Sequence, residues 1–90
     1  MPARSITLEI VNPLGLHARP AAQLAKLAGQ AKGGVWIHKA DETANAASML
    51  DMLMLACAKG TEITLSIEDA ADLDALEQMA ELVRCGFGEV

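Results

Sequence analysis

Hydrophobic and polar residues alternate in four short segments of the chain. In the first segment, Ile6, Leu8 and Ile10 fall on one face and polar side chains fall on the other. Strict alternation is typical of a β-strand with one buried and one solvent-facing side. The segments predicted as strands are 5–11, 35–39, 43–46 and 61–67. Because every strand has a polar face, we expect an antiparallel sheet that helices cover on one side only.

Three other segments show apolar residues at helical spacing, with residues that favour helix ends beside them. The predicted helices span 18–28, 49–56 and 69–84. Gly29 and Gly86 follow the first and the third, and the Ser48 hydroxyl stands where it would cap the second. The element order is therefore β-α-β-β-α-β-α. This order predicts an α+β fold, a two-layer open-faced sandwich with a four-stranded antiparallel sheet and three helices on one face.

The composition fits one small globular domain, predicted over residues 1–90. Of the 90 residues, 52% are hydrophobic and 21% are charged, which excludes a disordered tail or a disulfide-stapled miniprotein. One Trp and one Phe are the only aromatic residues, so the core has to be aliphatic, with Met52 and Leu55 among its members. We expect Cys57 and Cys85 to be reduced thiols packed as small apolar groups, and we predict no metal site and no cofactor.

Charge is distributed unevenly along the chain. The net charge is −5, and residues 62–90 contain eight acidic residues against one basic residue, Arg84. Nucleic-acid binding needs clustered basic side chains, so we exclude nucleic acid as a partner. No segment approaches the roughly 20 apolar residues of a membrane span, and the N-terminus shows no apolar signal segment. We therefore expect a cytoplasmic protein without membrane insertion.

The segment of residues 15–20, Gly-Leu-His-Ala-Arg-Pro, is the most informative in the chain. It places His17 directly before the predicted helix and Pro20 in the first turn, where a missing N–H costs nothing. The unpaired N–H groups of a helix start favour an anion, and an arginine at position 19 can hold phosphate oxygens. A histidine in such surroundings can take up a phosphoryl group through a neutral ring nitrogen.

The chain resembles the HPr family, the histidine phosphocarrier proteins of the phosphoenolpyruvate-dependent phosphotransferase system. The resemblance covers nearly the whole chain and centres on residues 15–20. The serine that opens the short helix, the Lys59-Gly60-Thr61 corner and the acidic last helix add to it. The spacing from His17 to Ser48 agrees with the family pattern without a gap.

The resemblance implies a role for three residues. His17 would accept a phosphoryl group from phosphorylated enzyme I and pass it to an EIIA-type acceptor, with Arg19 assisting both transfers. Ser48 would be a second, regulatory site, phosphorylated by HPr kinase/phosphorylase. The protein would be a monomeric, stoichiometric carrier and not an enzyme, which agrees with our expectation that no second acid, base or nucleophile lies near His17.

An exposed apolar patch around His17 is expected to receive these partner proteins. Its members come from the short helix and from the start of the first helix, with Lys26 and Lys59 at the rim to steer acidic partners. The predicted apolar members are Leu16, Ala22, Met49, Leu50, Leu53 and Met54. Flexible methionine side chains suit a surface that repacks against several partners.

Three residues depart from the family pattern. Leu14 stands where a small polar residue is common, Ala47 where lysine is common, and Asp51 where many relatives have lysine or glycine. Ala47 and Asp51 bear on which enzyme I or kinase the protein fits, and Leu14 bears on a side-chain contact to the phosphohistidine. None of the three touches the carrier chemistry.

Two other functions stay open at this stage. One is a regulatory interaction module that Ser48 phosphorylation controls and in which His17 is vestigial; the other is a small ligand-binding regulatory domain. The sequence also leaves open whether the pathway serves sugar uptake or nitrogen and carbon regulation. His38 alternates with Ile37 in a predicted strand, so we interpret it as an exposed strand residue rather than a ligand.

Overall fold

Seven regular elements form the structure, a computed structural model that describes residues 4–89. Their bounds are β1 Ser5–Glu9, α1 Ala18–Gly29, β2 Val35–Lys39, β3 Glu42–Asn45, α2 Met49–Met54, β4 Glu62–Ile67 and α3 Leu73–Arg84. Short 3₁₀ turns stand before and after α3, at Ala70–Asp72 and Gly86–Gly88. The predicted element order is confirmed. We predict that the N-terminus contains no signal segment; residues 1–3 of that region lie outside the described range.

The four strands form one antiparallel sheet in the order β1-β4-β2-β3. In one row across it, Ile37 on β2 faces Leu65 on β4 and Ala44 on β3, and all three side chains are buried. The opposite face is polar, and there the hydroxyls of Thr7 and Thr64 form a hydrogen bond of 2.9 Å. The alternation in the sequence thus gives the sheet one apolar and one open face.

The helices cover the apolar face of the sheet. α3 packs against β1 and β4, α2 packs against β3, and α1 contacts both other helices. Leu24 from α1, Met52 from α2 and Met79 from α3 are among the large, fully buried side chains. Met52 and Leu55 are both buried, as predicted, and Phe87 joins the same core from the C-terminal turn. The predicted two-layer α+β sandwich is confirmed, and none of the helices described is long and apolar enough to cross a membrane.

α2 is shorter than the predicted helix over 49–56, and a lysine explains where it ends. Lys39 Nζ donates to the carbonyl oxygens of Leu55 and Ala56, at 2.7 and 3.3 Å. It thereby satisfies acceptors that a helix C-terminus leaves unpaired. Ala56 adopts a positive φ of 55°, which turns the chain away from the helix axis.

α3 begins later than the predicted residue 69, because the preceding turn follows 3₁₀ geometry. Asp69 Oδ1 accepts from the Ala71 N–H at 2.8 Å, so Asp69 caps a short 3₁₀ turn and the α-helix starts only at Leu73. β2 has the predicted bounds, and the other three strands differ from prediction by one or two residues at their ends. Such shifts are ordinary where terminal residues pair incompletely.

The two cysteines lie in different surroundings. Cys57 is buried, as predicted, and its burial raises the pKa of the thiol. The prediction for Cys85 is wrong, because this residue is exposed at the end of α3. There its thiol donates to the Leu82 carbonyl oxygen at 3.4 Å instead of packing in the core.

His38 lies on the open face of the sheet but is only half-exposed. One ring nitrogen lies 3.1 Å from Thr43 Oγ1 and the other lies 2.8 Å from Ser66 Oγ. The predicted strand position is confirmed, but the ring is less exposed than expected, since hydroxyls on the two neighbouring strands hold it on both sides. With both nitrogens occupied, His38 is a structural residue of the sheet.

Asp72 joins the start of α3 to the loop between α1 and β2. Its carboxylate accepts from the N–H groups of Lys32 and Gly33, both at 2.9 Å. These two hydrogen bonds lower the pKa of Asp72, because they favour the charged carboxylate. Among the residues described, Asn12 and Asp72 are the polar ones that are buried, and each organises a loop.

We expect Asp72→Asn to lower the thermal midpoint at neutral pH, because an amide leaves at least one of the two backbone donors without a good acceptor. The pKa of Asp72 is lowered in the folded state, so its contribution to stability is present above about pH 4 and is lost as the pH falls through the folded-state value. From about pH 4 downward, the wild type should lose more stability than the variant. Thermal unfolding at several pH values measures this. Asp41→Asn, in an exposed turn, is the control, and equal effects of the two changes would contradict the assignment.

Candidate functional site

His17 is the N-cap residue of α1 and ends the loop that follows β1. Its backbone is extended, with φ −87° and ψ −171°, and its carbonyl oxygen accepts from the Ala21 N–H at 3.0 Å. The chain therefore turns into the helix at this residue. The imidazole makes no capping hydrogen bond, and 33% of the side chain is exposed, so the ring is accessible from solvent.

The first turn of α1 offers unpaired donors beside His17. Within residues 4–89, the N–H groups of Ala18 and Arg19 have no hydrogen-bond partner, and Pro20 has no N–H. The positive end of the helix dipole lies at the same place. Both N–H groups belong to exposed residues, so the geometry predicted from the sequence, a histidine beside a position that favours an anion, is present.

Gly15 fixes the loop that presents His17. Its φ is +67°, and a Cβ at this position would collide with the carbonyl oxygen of Cys57 and lie 2.9 Å from the Cα of Ala58. The Leu16 N–H donates to the same Cys57 carbonyl oxygen at 2.8 Å. The loop is therefore held against the segment that follows α2, at a distance that only glycine permits.

A carboxylate contacts His17, which the sequence analysis does not anticipate. Glu89 Oε2 lies 2.8 Å from His17 Nε2, and only 14% of the Glu89 side chain is exposed. Glu89 follows the turn after α3, in which Phe87 is buried and has a φ of 57°. The expectation that no second acid or base lies near His17 is therefore wrong.

Asn12 holds Glu89 in place. The Asn12 side chain is fully buried, and its Nδ2 donates to Glu89 Oε1 at 2.9 Å and to the Gly15 carbonyl oxygen at 2.7 Å. The hydrogen bond from Asn12 lowers the pKa of Glu89, and the neighbouring His17 and Arg19 lower it further. The carboxylate is therefore ionised beside the imidazole at neutral pH.

α2 begins at Ser48 and presents apolar side chains to solvent. Ser48 Oγ accepts from the Asp51 N–H at 3.2 Å, which confirms the predicted N-cap. The exposed large apolar residues are Leu14, Met49, Leu50, Leu53 and Met54. We call these five residues the apolar patch. Four of them are predicted from the sequence, and the fifth, Leu14, lies beside His17 in two shallow surface pockets.

Two residues predicted for the docking surface differ from expectation. Leu16 is 5% exposed, so its prediction as part of an exposed patch is wrong; its N–H bonds to Cys57 and its side chain packs in the core. Lys26 lines a groove between α1 and α3, whereas the pockets that include His17 contain no lysine among the residues described. Ala22 and Lys59 are exposed, as expected.

Comparison with known proteins places this site in a family. A family model described as "PTS HPr component phosphorylation site" matches residues 4–84. The chain is 40% identical to the phosphocarrier protein HPr of Neisseria meningitidis serogroup A over 83 residues, which cover 92% of this chain and 93% of that protein. The chain belongs to the HPr family.

Other relatives agree with this assignment. The chain is 37% identical to the phosphocarrier protein NPr of Klebsiella oxytoca over 84 residues, 92% of this chain and 93% of that protein. The crystal structure of HPr from Thermoanaerobacter tengcongensis superposes with a TM-score of 0.90 at 32% identity, covering 98% of this chain and 99% of that one. The predicted family and its fold are confirmed, and HPr-family proteins are phosphocarriers of the phosphotransferase system rather than catalysts.

We expect Gly15→Ala to destabilise this HPr-family protein more than Gly60→Ala does. Both glycines have a positive φ, 67° and 91°, which costs an L-residue about 1–2 kcal/mol. Only at Gly15 would the new Cβ also meet backbone atoms, because nothing lies within 4 Å of one at Gly60. Chemical denaturation should give a lower midpoint for Gly15→Ala, by at least about 1 kcal/mol in the free energy of unfolding. Equal losses would contradict the close approach of the two segments.

Proposed function

We propose that His17 is the phosphoryl carrier of this protein. It accepts a phosphoryl group from phosphorylated enzyme I and passes it to a histidine of an EIIA-type acceptor. The observation that carries the proposal is the accessible imidazole beside the unpaired N–H groups of Ala18 and Arg19. Membership of a phosphocarrier family supports it.

The transfer needs a nucleophile and a place for the charge that arrives. A neutral ring nitrogen of His17 attacks phosphorus, and as the new P–N bond forms, the donor leaves with the electron pair of its own bond to phosphorus. The phosphoryl oxygens carry negative charge, which the N-terminus of α1 and the Arg19 guanidinium stabilise. In the second transfer, a nitrogen of the acceptor attacks the same phosphorus, and His17 recovers its neutral ring.

Arg19 is suited to assist both transfers. Its side chain is exposed and lines the same surface pocket as His17 and Glu89. A guanidinium group can donate to two phosphate oxygens at once. Its positive charge also offsets the negative charge of the Glu89 carboxylate, which would otherwise repel an incoming phosphoryl group.

The surroundings of Glu89 favour a carrier over a hydrolase. One of its oxygens accepts from Asn12 and the other contacts His17, so the carboxylate is not free to take a proton from a water molecule. A phosphoryl group on the exposed ring is therefore not hydrolysed with the help of Glu89, and it remains until an acceptor protein binds.

The apolar patch is the surface on which partners would dock. Its member Leu14 lies beside His17, and its most exposed members are Leu14, Leu50 and Met54, at 72%, 67% and 74%. Four large apolar side chains exposed on one short helix mark an interaction site. Because donor and acceptor must use this surface in turn, it has to stay uncovered, which supports a monomer.

Incubation with phosphoenolpyruvate and enzyme I should add one acid-labile phosphoryl group to the protein, detected by intact-mass measurement. His17→Ala should abolish the gain, because it removes the nucleophile. His38→Ala is the matched control, since both nitrogens of that ring are bonded within the sheet, and it should retain the full gain. No gain in the wild type, or a gain that survives His17→Ala, would overturn the carrier function.

We also propose that Ser48 is a regulatory site for HPr kinase/phosphorylase. Ser48 opens the helix that carries four residues of the apolar patch, so a modification there acts directly on the docking surface. A phosphate adds about −1.5 to −2 charges. The phosphate would gain from the unpaired N–H groups at the start of α2, and its charge would stand three residues from the Asp51 carboxylate, which repels it.

Phosphorylation of Ser48 should raise the KM for phosphorylated enzyme I by about tenfold or more, because charge is placed on an apolar docking surface. The kinase should add an acid-stable phosphate to the wild type. The Ser48→Ala variant should not gain this phosphate, whereas the control variant Ser5→Ala, changed on β1, should gain it. Steady-state phosphoryl transfer by the modified and unmodified proteins measures the effect. An unchanged KM would contradict the regulatory role, and full transfer by Ser48→Ala would exclude a module in which His17 is vestigial.

A further inference from the structure

The two oxygens of Glu89 have separate partners. Oε1 accepts from Asn12 Nδ2 at 2.9 Å, and Oε2 lies 2.8 Å from His17 Nε2. An ionised carboxylate can only accept hydrogen bonds, so the atom that faces Oε2 has to donate. The neutral imidazole of His17 therefore has its proton on Nε2, and the lone pair that can attack phosphorus is on Nδ1.

We propose that Asn12 and Glu89 are positioning residues: Asn12 orients the Glu89 carboxylate, and Glu89 holds the His17 ring in the Nε2–H tautomer, which leaves Nδ1 free to react. The consequence for transfer rests on the proposed carrier function. The tautomer itself is a property of the resting protein and can be measured without any partner.

Asn12 can orient Glu89 because its own amide has a fixed orientation. Nδ2 faces two acceptors, Glu89 Oε1 and the Gly15 carbonyl oxygen at 2.7 Å, so the amide cannot be flipped without losing both hydrogen bonds. Asn12 Oδ1 is buried and has no partner in the described part of the chain, which is unfavourable. The side chain is thus arranged for its two donated hydrogen bonds, one to the loop and one to Glu89.

The arrangement also separates two negative groups. The carboxylate of Glu89 is at the Nε2 end of the ring, and a phosphoryl group on Nδ1 would be at the other. Phosphorylation of Nδ1 leaves the proton on Nε2 and gives the ring positive character, so the hydrogen bond to the carboxylate becomes charge-assisted. In the resting protein, Nδ1 makes no hydrogen bond to any of residues 4–89, so it is available to a phosphoryl donor.

Glu89→Gln tests the proposal with an almost isosteric change. Because Asn12 still donates, the new amide would turn its oxygen to Asn12 and its NH₂ group to His17 Nε2. An NH₂ group donates, so Nε2 would become the acceptor and the ring proton would move to Nδ1. We expect ¹⁵N NMR of the neutral imidazole to show the Nε2–H tautomer in the wild type and a shift toward the Nδ1–H tautomer in the variant.

Phosphoramidate reports the chemical consequence without a partner protein. His17 Nδ1 attacks phosphorus, the P–N bond of phosphoramidate breaks, ammonia leaves, and the Nε2 proton stays in its hydrogen bond to Glu89. We expect ³¹P and ¹⁵N NMR to find phosphate on Nδ1 in the wild type. In Glu89→Gln, the rate at Nδ1 should fall at least about tenfold, with product appearing on Nε2, since imposing the wrong tautomer on a reactive histidine costs up to about 10⁴-fold in a serine protease.

The matched control is Glu77→Gln, which removes the same charge from an exposed position on α3. The Glu77→Gln variant should leave both the tautomer and the site of phosphorylation unchanged. If Glu89 only stabilised the loop, Glu89→Gln would lower the thermal midpoint without moving the ring proton.

The same tautomer in wild type and Glu89→Gln would overturn the proposal. So would an Nδ1–H tautomer in the wild type, a result that does not depend on whether the variant folds. A wild type with the Nε2–H tautomer that enzyme I fails to phosphorylate would instead count against the carrier function.

Discussion

The close approach of Gly15 to the backbone of Cys57 and Ala58 is the contact on which the arrangement of the site depends. It leaves no room for a side chain, and it lets the Leu16 N–H reach the Cys57 carbonyl oxygen at 2.8 Å. The segment it holds is the one that follows α2, whose last carbonyl groups Lys39 caps. The loop before α1 and the segment after α2 are therefore connected by a backbone hydrogen bond. As a result, the imidazole and the apolar patch belong to one frame, which suits the proposed transfer, because its reaction partners have to meet in a fixed orientation.

The acidic C-terminal third has two kinds of carboxylate. Most of its acidic side chains are exposed and account for the excess of negative charge. Asp72 and Glu89 differ, because each accepts two hydrogen bonds and its pKa is lowered by them. Asp72 holds the loop before β2, and Glu89 holds the loop before α1. The charge count therefore does not distinguish a solvated acid from one that organises a loop.

Local pattern predicts most of this fold, because strand alternation and helical spacing depend on near neighbours in the chain. It also predicts His17 at a helix start, because Gly15 precedes it and Pro20 stands where the first turn of a helix tolerates proline. The contact with Glu89 could not be predicted in this way, because it requires the turn at Phe87 to pack against a loop at the other end of the sequence. Leu16 illustrates the same limit: nothing in the spacing of apolar residues shows that its N–H is used by Cys57 and its side chain is turned into the core.

Leu14 and Glu89 together suggest how this member of the family supports its histidine. Leu14 stands where a small polar residue is common in the family, and here it is an exposed apolar side chain beside His17 that cannot donate a hydrogen bond to a phosphoryl group. The polar contact to the imidazole comes from Glu89, which Asn12 holds in place. Leu14 is thereby available to extend the apolar patch up to the reactive ring. In the proposed mechanism, partner choice and ring chemistry therefore depend on different residues, so a change in the patch would alter which protein docks and would leave the tautomer of His17 unchanged.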